Sequence, residues 1–361
     1  MLDTPALKFT RDTDLALPNH RMAQDIFFER APARLKDRMP RIWKADNICH
    51  IGFGGKSLFP DSQVNALGNF EGRPGASELG PRLKDMDREG VDAEFAFGNA
   101  INALMAHPDL EMRETAFRIY NEHLAELQEK APGRFYGVGF VNYWDIDKTE
   151  SSLAELKALG LKTYILPLKP GNHLDGSEVR YCSERMEPFW NAIEAAGLPV
   201  MHHIGENGLD TGRNSFATVL LQHLQPFRKM FAEYTFGGII DRNPKLQIAW
   251  IEGGLNWVLS TIQDAAFVYA SFHASRDYDM QKEVKDYWRD HMFASFMYDP
   301  LGLRLVDEIG VDKAMWSSDY PHQESTLGYG WDAMQEVMDA VSSADARKIL
   351  GGNALKLFDL E

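Results

Sequence analysis

The sequence contains few cysteines and no pattern that would use them. Only Cys49 and Cys182 occur among the 361 residues, and they are far apart. This excludes a disulfide framework and a metal site built from paired cysteines. So little cysteine, without a pattern, fits a reducing compartment, and we expect a cytoplasmic protein.

Long apolar runs and clusters of basic residues are also missing. No stretch approaches the roughly 18 apolar residues that a membrane-spanning helix needs, and the first residues, MLDTPALKFTRD, lack the charged and apolar regions of a signal peptide. A net charge of -15 argues against nucleic-acid binding, which requires clustered Lys and Arg to neutralise phosphates. We therefore expect a small-molecule substrate, with no membrane and no nucleic-acid partner.

The residues that are present predict a large α/β enzyme. Hydrophobic residues make up 44% of the chain and charged residues 25%, which is ordinary for a globular protein. Short β-rich runs alternate with segments of helical periodicity, as in βαβ units around a parallel sheet. The eight candidate strands lie in KFTRDTDLAL, AEFAFG, FYGVGFV, KTYILPL, LPVMHHIG, LQIAWIEGG, FASFM and KAMWSSDY. Eight such units predict a single (β/α)8 TIM barrel over residues 1–361.

Residues 20–75 interrupt this alternation after the first strand. Glycine and proline are frequent there, as in HIGFGGKSLFP and GNFEGRPG. We interpret the segment as a long insertion over the C-terminal mouth of the barrel, where the active sites of such barrels lie. Further along the chain, residues 214–241 have the periodicity of two helices.

Polar residues that can ligate metal follow several of the predicted strands. We expect these residues to lie close together in the fold, because the carboxyl ends of barrel strands converge. Each residue alone has an equally good structural explanation, such as a turn cap or an ion pair. Together, however, four converging carboxylates would repel one another unless a cation bound between them. The residues are Asp12 and Asp14 after strand 1, His202 and His203 after strand 5, Glu252 after strand 6, and Asp319 and His322 after strand 8.

Several stretches resemble the amidohydrolase-2 branch of the amidohydrolase superfamily, which includes aminocarboxymuconate-semialdehyde decarboxylase and the resorcylate-type decarboxylases. The resemblance covers nearly the whole chain and implies a metal-dependent (β/α)8 barrel. The usual chemistry of the branch is metal-assisted hydrolysis or non-oxidative decarboxylation. The matching stretches are ERAPARLKDRMPRIW, RLKDMDREGVD, APGRFYGVGFV, FGGIIDRNPKLQIAWIEGGLNWV and MWSSDYPH.

The resemblance also implies a set of site residues. His203 in PVMHHIG and Asp319 in WSSDYPH match the family's ligands on strands 5 and 8, and Glu252 matches the residue that many members carry on strand 6. Strand 1 departs from the family pattern of His-x-His or Glu-x-His, because this chain has Asp12-x-Asp14. We expect all five to ligate metal, with Asp319, His203 and Glu252 also taking part in catalysis.

The excess of carboxylates bears on the metal and on the reaction. Roughly four negative charges would be balanced by two divalent ions. His50 and His322 are candidates for further nitrogen ligands to these ions. Oxygen-rich sites favour iron, with manganese or zinc as alternatives. This slightly favours a dinuclear non-haem iron monooxygenase that hydroxylates a small apolar or aromatic substrate. The alternative is a hydrolase or non-oxidative decarboxylase of an aromatic or unsaturated carboxylic acid. Relatives often form dimers, so a homodimer is compatible with the sequence.

Other candidates have weaker signals. The aromatic residues Phe53, Phe59, Phe70, Tyr143 and Trp144 suit the wall of an apolar pocket, although core packing is the commoner fate of such side chains.

Overall fold

A computed structural model of the chain shows a barrel of parallel strands with helices packed around it. Side chains are described only from residue 26 onward, and at 12–14, 21–25, 42–45, 48–51 and 57 the backbone alone is described. The described residues are 12–14, 21–45, 48–57, 74–76, 78–98, 104–105, 107–206, 218, 221–222, 227–272, 274, 277–322 and 325–360.

The strands and helices alternate along the chain, as the sequence predicts. The strands are β1 (Asp12–Asp14), β2 (Arg41–Ala45), β3 (Ile48–Phe53), β4 (Lys56–Ser57), β5 (Glu94–Phe97), β6 (Phe135–Gly137), β7 (Gly139–Phe140), β8 (Tyr164–Ile165), β9 (Val200–His203), β10 (Ile248–Ile251), β11 (Met292–Phe296) and β12 (Ala314–Trp316). The helices are α1 (Arg21–Arg30), α2 (Leu79–Glu89), α3 (Leu110–Lys130), α4 (Thr149–Ala158), α5 (Glu187–Ala196), α6 (Phe227–Thr235), α7 (Ile239–Arg242), α8 (Asn256–Ser271), α9 (Val284–His291), α10 (Pro300–Arg304), α11 (Val306–Ile309), α12 (Gly330–Ala340), α13 (Ser343–Arg347) and α14 (Asn353–Leu357).

The barrel strands pair in parallel in the order of the chain. One run is β1-β5-β6 and the other is β7-β8-β9-β10-β11-β12. Strands β6 and β7 are the two halves of the single predicted strand FYGVGFV, and the N–H of Val138 between them bonds to the carbonyl of Ala96 on β5 at 3.1 Å. The prediction of eight strands in a (β/α)8 barrel is confirmed, and their carboxyl ends share one end of the barrel.

Glycines in β6 and β7 allow helices α3 and α4 to pack closely on these strands. A Cβ at Gly137 would lie 2.5 Å from the Leu124 side chain of α3, and one at Gly139 would lie 2.6 Å from Leu156 of α4. Neither distance is compatible with a larger residue, which explains why glycine interrupts an otherwise apolar strand.

The segment after β1 has more regular structure than its glycine and proline content indicates. Strands β2, β3 and β4 form an antiparallel sheet, with a turn at Gly54 and Gly55 in left-handed conformation. The ring of Phe53 lies 4.7 Å from that of His107, and Arg38 Nε donates to Asp109 Oδ2 at 2.6 Å. Both partners lie just before α3, so the segment contacts the connection between β5 and α3.

Between residues 214 and 241 the structure contains α6 and α7, while most of 207–226 lies outside the described residues. The predicted helix pair is therefore tested only in its second half. Of the described helices, none combines the length and the apolar character needed to cross a membrane.

Candidate metal centre

His203 is the last residue of β9, and it lies next to a carboxylate of the neighbouring strand. Its Nε2 is 2.7 Å from Oε2 of Glu252, and both side chains are buried. Its Nδ1 is 2.7 Å from the carbonyl oxygen of Ile204. When Nδ1 donates its proton to that carbonyl, Nε2 carries a lone pair and is the nitrogen able to ligate a metal.

Glu252 directly follows β10, whose Ile251 is in register with His203. Its backbone is in the left-handed region, with φ of 67°. That conformation is uncommon for a residue other than glycine and is found preferentially at functional sites. The Ser295 Oγ of β11 accepts the Glu252 N–H at 2.8 Å, which holds the strained residue at the end of the strand.

Asp319 has the same unusual backbone, with φ of 55°. It lies beyond the end of β12 and is fully buried. Its neighbour Tyr320 is held from two directions: the hydroxyl donates to Asp85 Oδ2 at 2.6 Å, and the Arg82 guanidinium lies 5.0 Å from the ring centroid. Helix α2 therefore fixes the backbone next to Asp319.

The structure brings together only part of the predicted ligand set. His203 and Glu252 are in contact, but within the described residues no three or more His, Cys, Asp or Glu side chains are grouped so as to hold a metal ion. His322 is half-buried, and its N–H donates to the Asp319 carbonyl at 3.0 Å. The side chains of Asp12, Asp14 and His50 lie outside the described part of the chain, so their predicted ligation stays a prediction.

The backbone nevertheless places the first strand beside the site. Strand β1 pairs with β5, and Asp14 is in register with Phe97. The Phe97 ring is 4.9 Å from the ring of His203. Asp14 is thus one strand pairing and one side-chain contact away from the buried histidine.

His202 faces away from the site, as alternation along a strand requires. Its Nδ1 donates to the Leu166 carbonyl and its Nε2 accepts from the Tyr234 hydroxyl of α6, both at 2.8 Å. Burial lowers the pKa of His202 to about 3, because the interior disfavours the charged imidazolium. His202 is therefore a neutral structural residue, and His203 is the member of the pair available to a metal.

Sequence reasoning missed a carboxylate just beyond β9. Glu206 accepts the N–H groups of Leu168 and Lys169 at 2.6 and 2.8 Å. Burial raises the pKa of Glu206 to about 7, while these hydrogen bonds and the charge of His203 act in the opposite direction. Its position three residues after the histidine in HHIGE was the available signal.

Comparison with known proteins shows what the chain is similar to. A sequence model of the amidohydrolase family matches residues 20–360. No curated protein matches the chain at a significant level. Three similar solved structures share the fold. An amidohydrolase from Mycobacterium avium subsp. paratuberculosis K-10 has 19% identity and a TM-score of 0.77, with 98% of this chain and 97% of that chain covered.

The other two structures are decarboxylases. The dihydroxybenzoic acid decarboxylase of Polaromonas sp. JS666, with bound manganese and the inhibitor 2-nitroresorcinol, has 19% identity and a TM-score of 0.66, covering 98% of this chain and 97% of that chain. The 2,6-dihydroxybenzoate decarboxylase from Rhizobium has 23% identity and a TM-score of 0.66, covering 77% and 87%. These likenesses agree with the barrel fold, and the family match spans almost the whole sequence. The chain therefore belongs to the amidohydrolase family.

Proposed function

We propose that the protein is a metal-dependent, non-oxidative decarboxylase of an aromatic carboxylic acid. The observation that carries this proposal is the buried pair His203 and Glu252, whose nitrogen and oxygen lie 2.7 Å apart at the carboxyl end of the barrel. Solved relatives with the same fold act on dihydroxybenzoates, and one contains manganese. This supports the hydrolase and decarboxylase alternative of the sequence analysis rather than an iron monooxygenase.

The donors present fit a divalent metal. Two ligands of one ion, each about 2.1 Å from it, lie about 3 Å apart, which is close to the separation of His203 Nε2 and Glu252 Oε2. One imidazole with several carboxylates is a predominantly oxygen set, which suits manganese. We propose that His203, Glu252 and Asp319 hold the metal, together with Asp12 and Asp14. The metal, when bound, would supply a positive charge that holds and orients the substrate carboxylate.

The chain itself must handle one proton. Decarboxylation breaks the bond between the ring carbon and the carboxylate and replaces it with a bond to hydrogen, so that one CO2 leaves and one proton is consumed. No oxidant or reductant is needed. We assign the proton transfer to the carboxyl group of Asp319, because it is fully buried and its backbone is fixed through Tyr320. A general acid must be positioned in this way to reach a ring carbon.

The test is the release of CO2 by manganese-loaded protein. Protein purified without added metal is reloaded with Mn²⁺ and incubated with 2-hydroxybenzoate, 2,6-dihydroxybenzoate and their methoxy derivatives, and CO2 is measured against the arene formed. We expect one CO2 per arene with at least one of these acids, and loss of activity after chelation.

Adjacent histidines provide a matched control. His203→Gln should abolish both manganese binding and CO2 release, whereas His202→Gln at pH 7.5 should retain both, since His202 faces the helix layer. Release of CO2 by His203→Gln at the wild-type rate would contradict the assigned site. Absence of CO2 from every acid, with an oxygenated product instead, would return the protein to the oxygenase hypothesis.

A further inference from the structure

Arg113 is a buried cation at the start of α3, where a positive charge is unfavourable. It is 1% exposed, and it lies in the first turns of a helix whose N-cap, Asp109, accepts the Met112 N–H at 3.2 Å. The N-terminal end of a helix carries a positive partial charge, which repels a guanidinium. Burial also disfavours the charge and lowers the pKa of Arg113.

The contacts of Arg113 satisfy one side of the guanidinium only. Its Nη1 donates to the Met105 carbonyl, which also accepts the hydroxyl of Tyr143. Its central carbon lies 3.6 Å from the ring centroid of Trp144. Within the part of the chain that the structure describes, the Nε and Nη2 atoms are buried without a hydrogen-bond partner, and no carboxylate forms an ion pair with Arg113.

The two atoms without partners form one edge of the guanidinium. Nε and Nη2 each direct an N–H to the same side, and these two parallel donors match the two oxygens of a carboxylate. Burying such a donor pair without an acceptor is costly, and the cost disappears when an anion binds. A planar anion with two adjacent oxygens would satisfy both donors at once.

This edge belongs to the same end of the barrel as the candidate metal centre. Arg113 begins the helix after β5, and Tyr143 and Trp144 follow β7. Tyr143 is close enough to both Arg113 and Glu206 for their charges to interact with it, and the charge of His203 acts in turn on Glu206. Arg113, Tyr143, Glu206 and His203 are thus successive neighbours at this end of the barrel.

We propose that the Nε and Nη2 edge of Arg113 binds a second carboxylate of the substrate, one that does not react. The inference rests on the proposed function, in which the metal centre takes the carboxylate that is released. The substrate is then an aromatic dicarboxylate, and it leaves the site as a monocarboxylate. Trp144 packs against the guanidinium face and keeps its edge turned to the ligand.

The experiment compares one and two carboxylates on the same ring. Binding of benzoate, isophthalate and terephthalate to the manganese-loaded wild-type protein is measured by calorimetry. At least one dicarboxylate should bind tenfold or more tightly than benzoate, because a bidentate charged pair is among the strongest hydrogen-bonded contacts. Equal affinity for all three compounds in the wild type overturns the inference without any variant.

Variants then assign the preference to this residue. Arg113→Met should abolish the preference for the dicarboxylate over benzoate. Arg118→Gln on the same helix removes an exposed arginine paired with Glu122 and should keep the preference. Arg113→Lys provides a second test if Arg113→Met does not fold. Lysine keeps the positive charge but not the paired donors, so the preference for the dicarboxylate over benzoate should fall. A preference undiminished in Arg113→Lys or Arg113→Met overturns the inference.

The two proposals fail separately. If no acid is decarboxylated but the preference depends on Arg113, the carboxylate site stands and the proposed reaction falls. If monocarboxylic acids are decarboxylated but the affinity for dicarboxylates does not depend on Arg113, the proposed reaction stands and the carboxylate site falls.

Discussion

The neutral state of His202 makes a quantitative prediction about acid stability. The pKa of His202 is about 3 in the folded protein and 6.5 without burial. As pH falls through 6.5, the unfolded chain takes up a proton that the folded chain does not, so this residue lowers the free energy of unfolding. The loss is about 1.4 kcal/mol per pH unit, and about 5 kcal/mol once pH 3 is reached.

Replacement by glutamine removes this titration. His202→Gln should cost about 1–2 kcal/mol at pH 7, because a bond to Tyr234 or Leu166 is weakened. Between pH 6.5 and 4.5, however, its stability should fall less steeply than that of the wild type, so that the two curves converge or cross.

The assay is urea unfolding of both proteins at half-unit pH intervals from 7.5 to 4.5. Tyr234→Phe is the control, because it removes the hydroxyl donor but keeps the imidazole, and its curve should remain as steep as that of the wild type. Parallel curves for wild type and His202→Gln would refute the reasoning, since they would mean that His202 is protonated to the same extent in both states.

Three further predictions concern the site and its support. Metal analysis should show that Asp319→Ala loses manganese, whereas Asp319→Asn keeps it because asparagine retains an oxygen ligand. The rate of CO2 release by Asp319→Asn should fall at least a hundredfold. Wild-type activity in this variant would exclude Asp319 as the proton carrier. Tyr320→Phe should reduce the free energy of unfolding by about 1–2 kcal/mol in urea titrations, because Asp85 loses its hydroxyl donor at 2.6 Å; an unchanged value would show that this contact adds nothing. The pKa of Glu206 is raised to about 7, so its contribution to stability is present below pH 4.5 and is lost as pH rises through 7. In urea titrations of Glu206→Gln, the free energy of unfolding should therefore fall less over this pH range than in the wild type. An equal fall in both proteins would contradict a protonated Glu206 carboxyl group.

The barrel could be predicted from the sequence because its signal is local. Each strand is a short apolar run, and several helices end in a glycine before the next strand, as at Gly90 and Gly197, both in left-handed conformation. The antiparallel sheet of β2, β3 and β4 was not predicted, since glycine and proline there indicate loops. Its pairing depends on contacts between strands, which composition does not reveal.

The sequence proposes candidate residues for the site but does not reveal their geometry. The motifs around His203 and Asp319 single out both positions, and their role as ligands stays a prediction. Nothing in the sequence indicates that Glu252 and Asp319 adopt left-handed backbones, and at Glu252 the backbone N–H is held by Ser295 of another strand. Arg113 was missed for a related reason. It occupies a position on the buried stripe of α3 that continues through Phe117, Tyr120 and Leu124. One arginine among buried positions on that stripe was the available signal.

The central claim is that a metal centre on His203 and Glu252 releases CO2 without redox chemistry. The most direct test is turnover of manganese-loaded protein with a carboxyl-labelled aromatic acid, run in parallel under strict anaerobic conditions and under ¹⁸O2. We expect equal rates in both atmospheres, one labelled CO2 per arene, and no ¹⁸O in the product. Turnover that requires oxygen and places ¹⁸O in the product would contradict this claim.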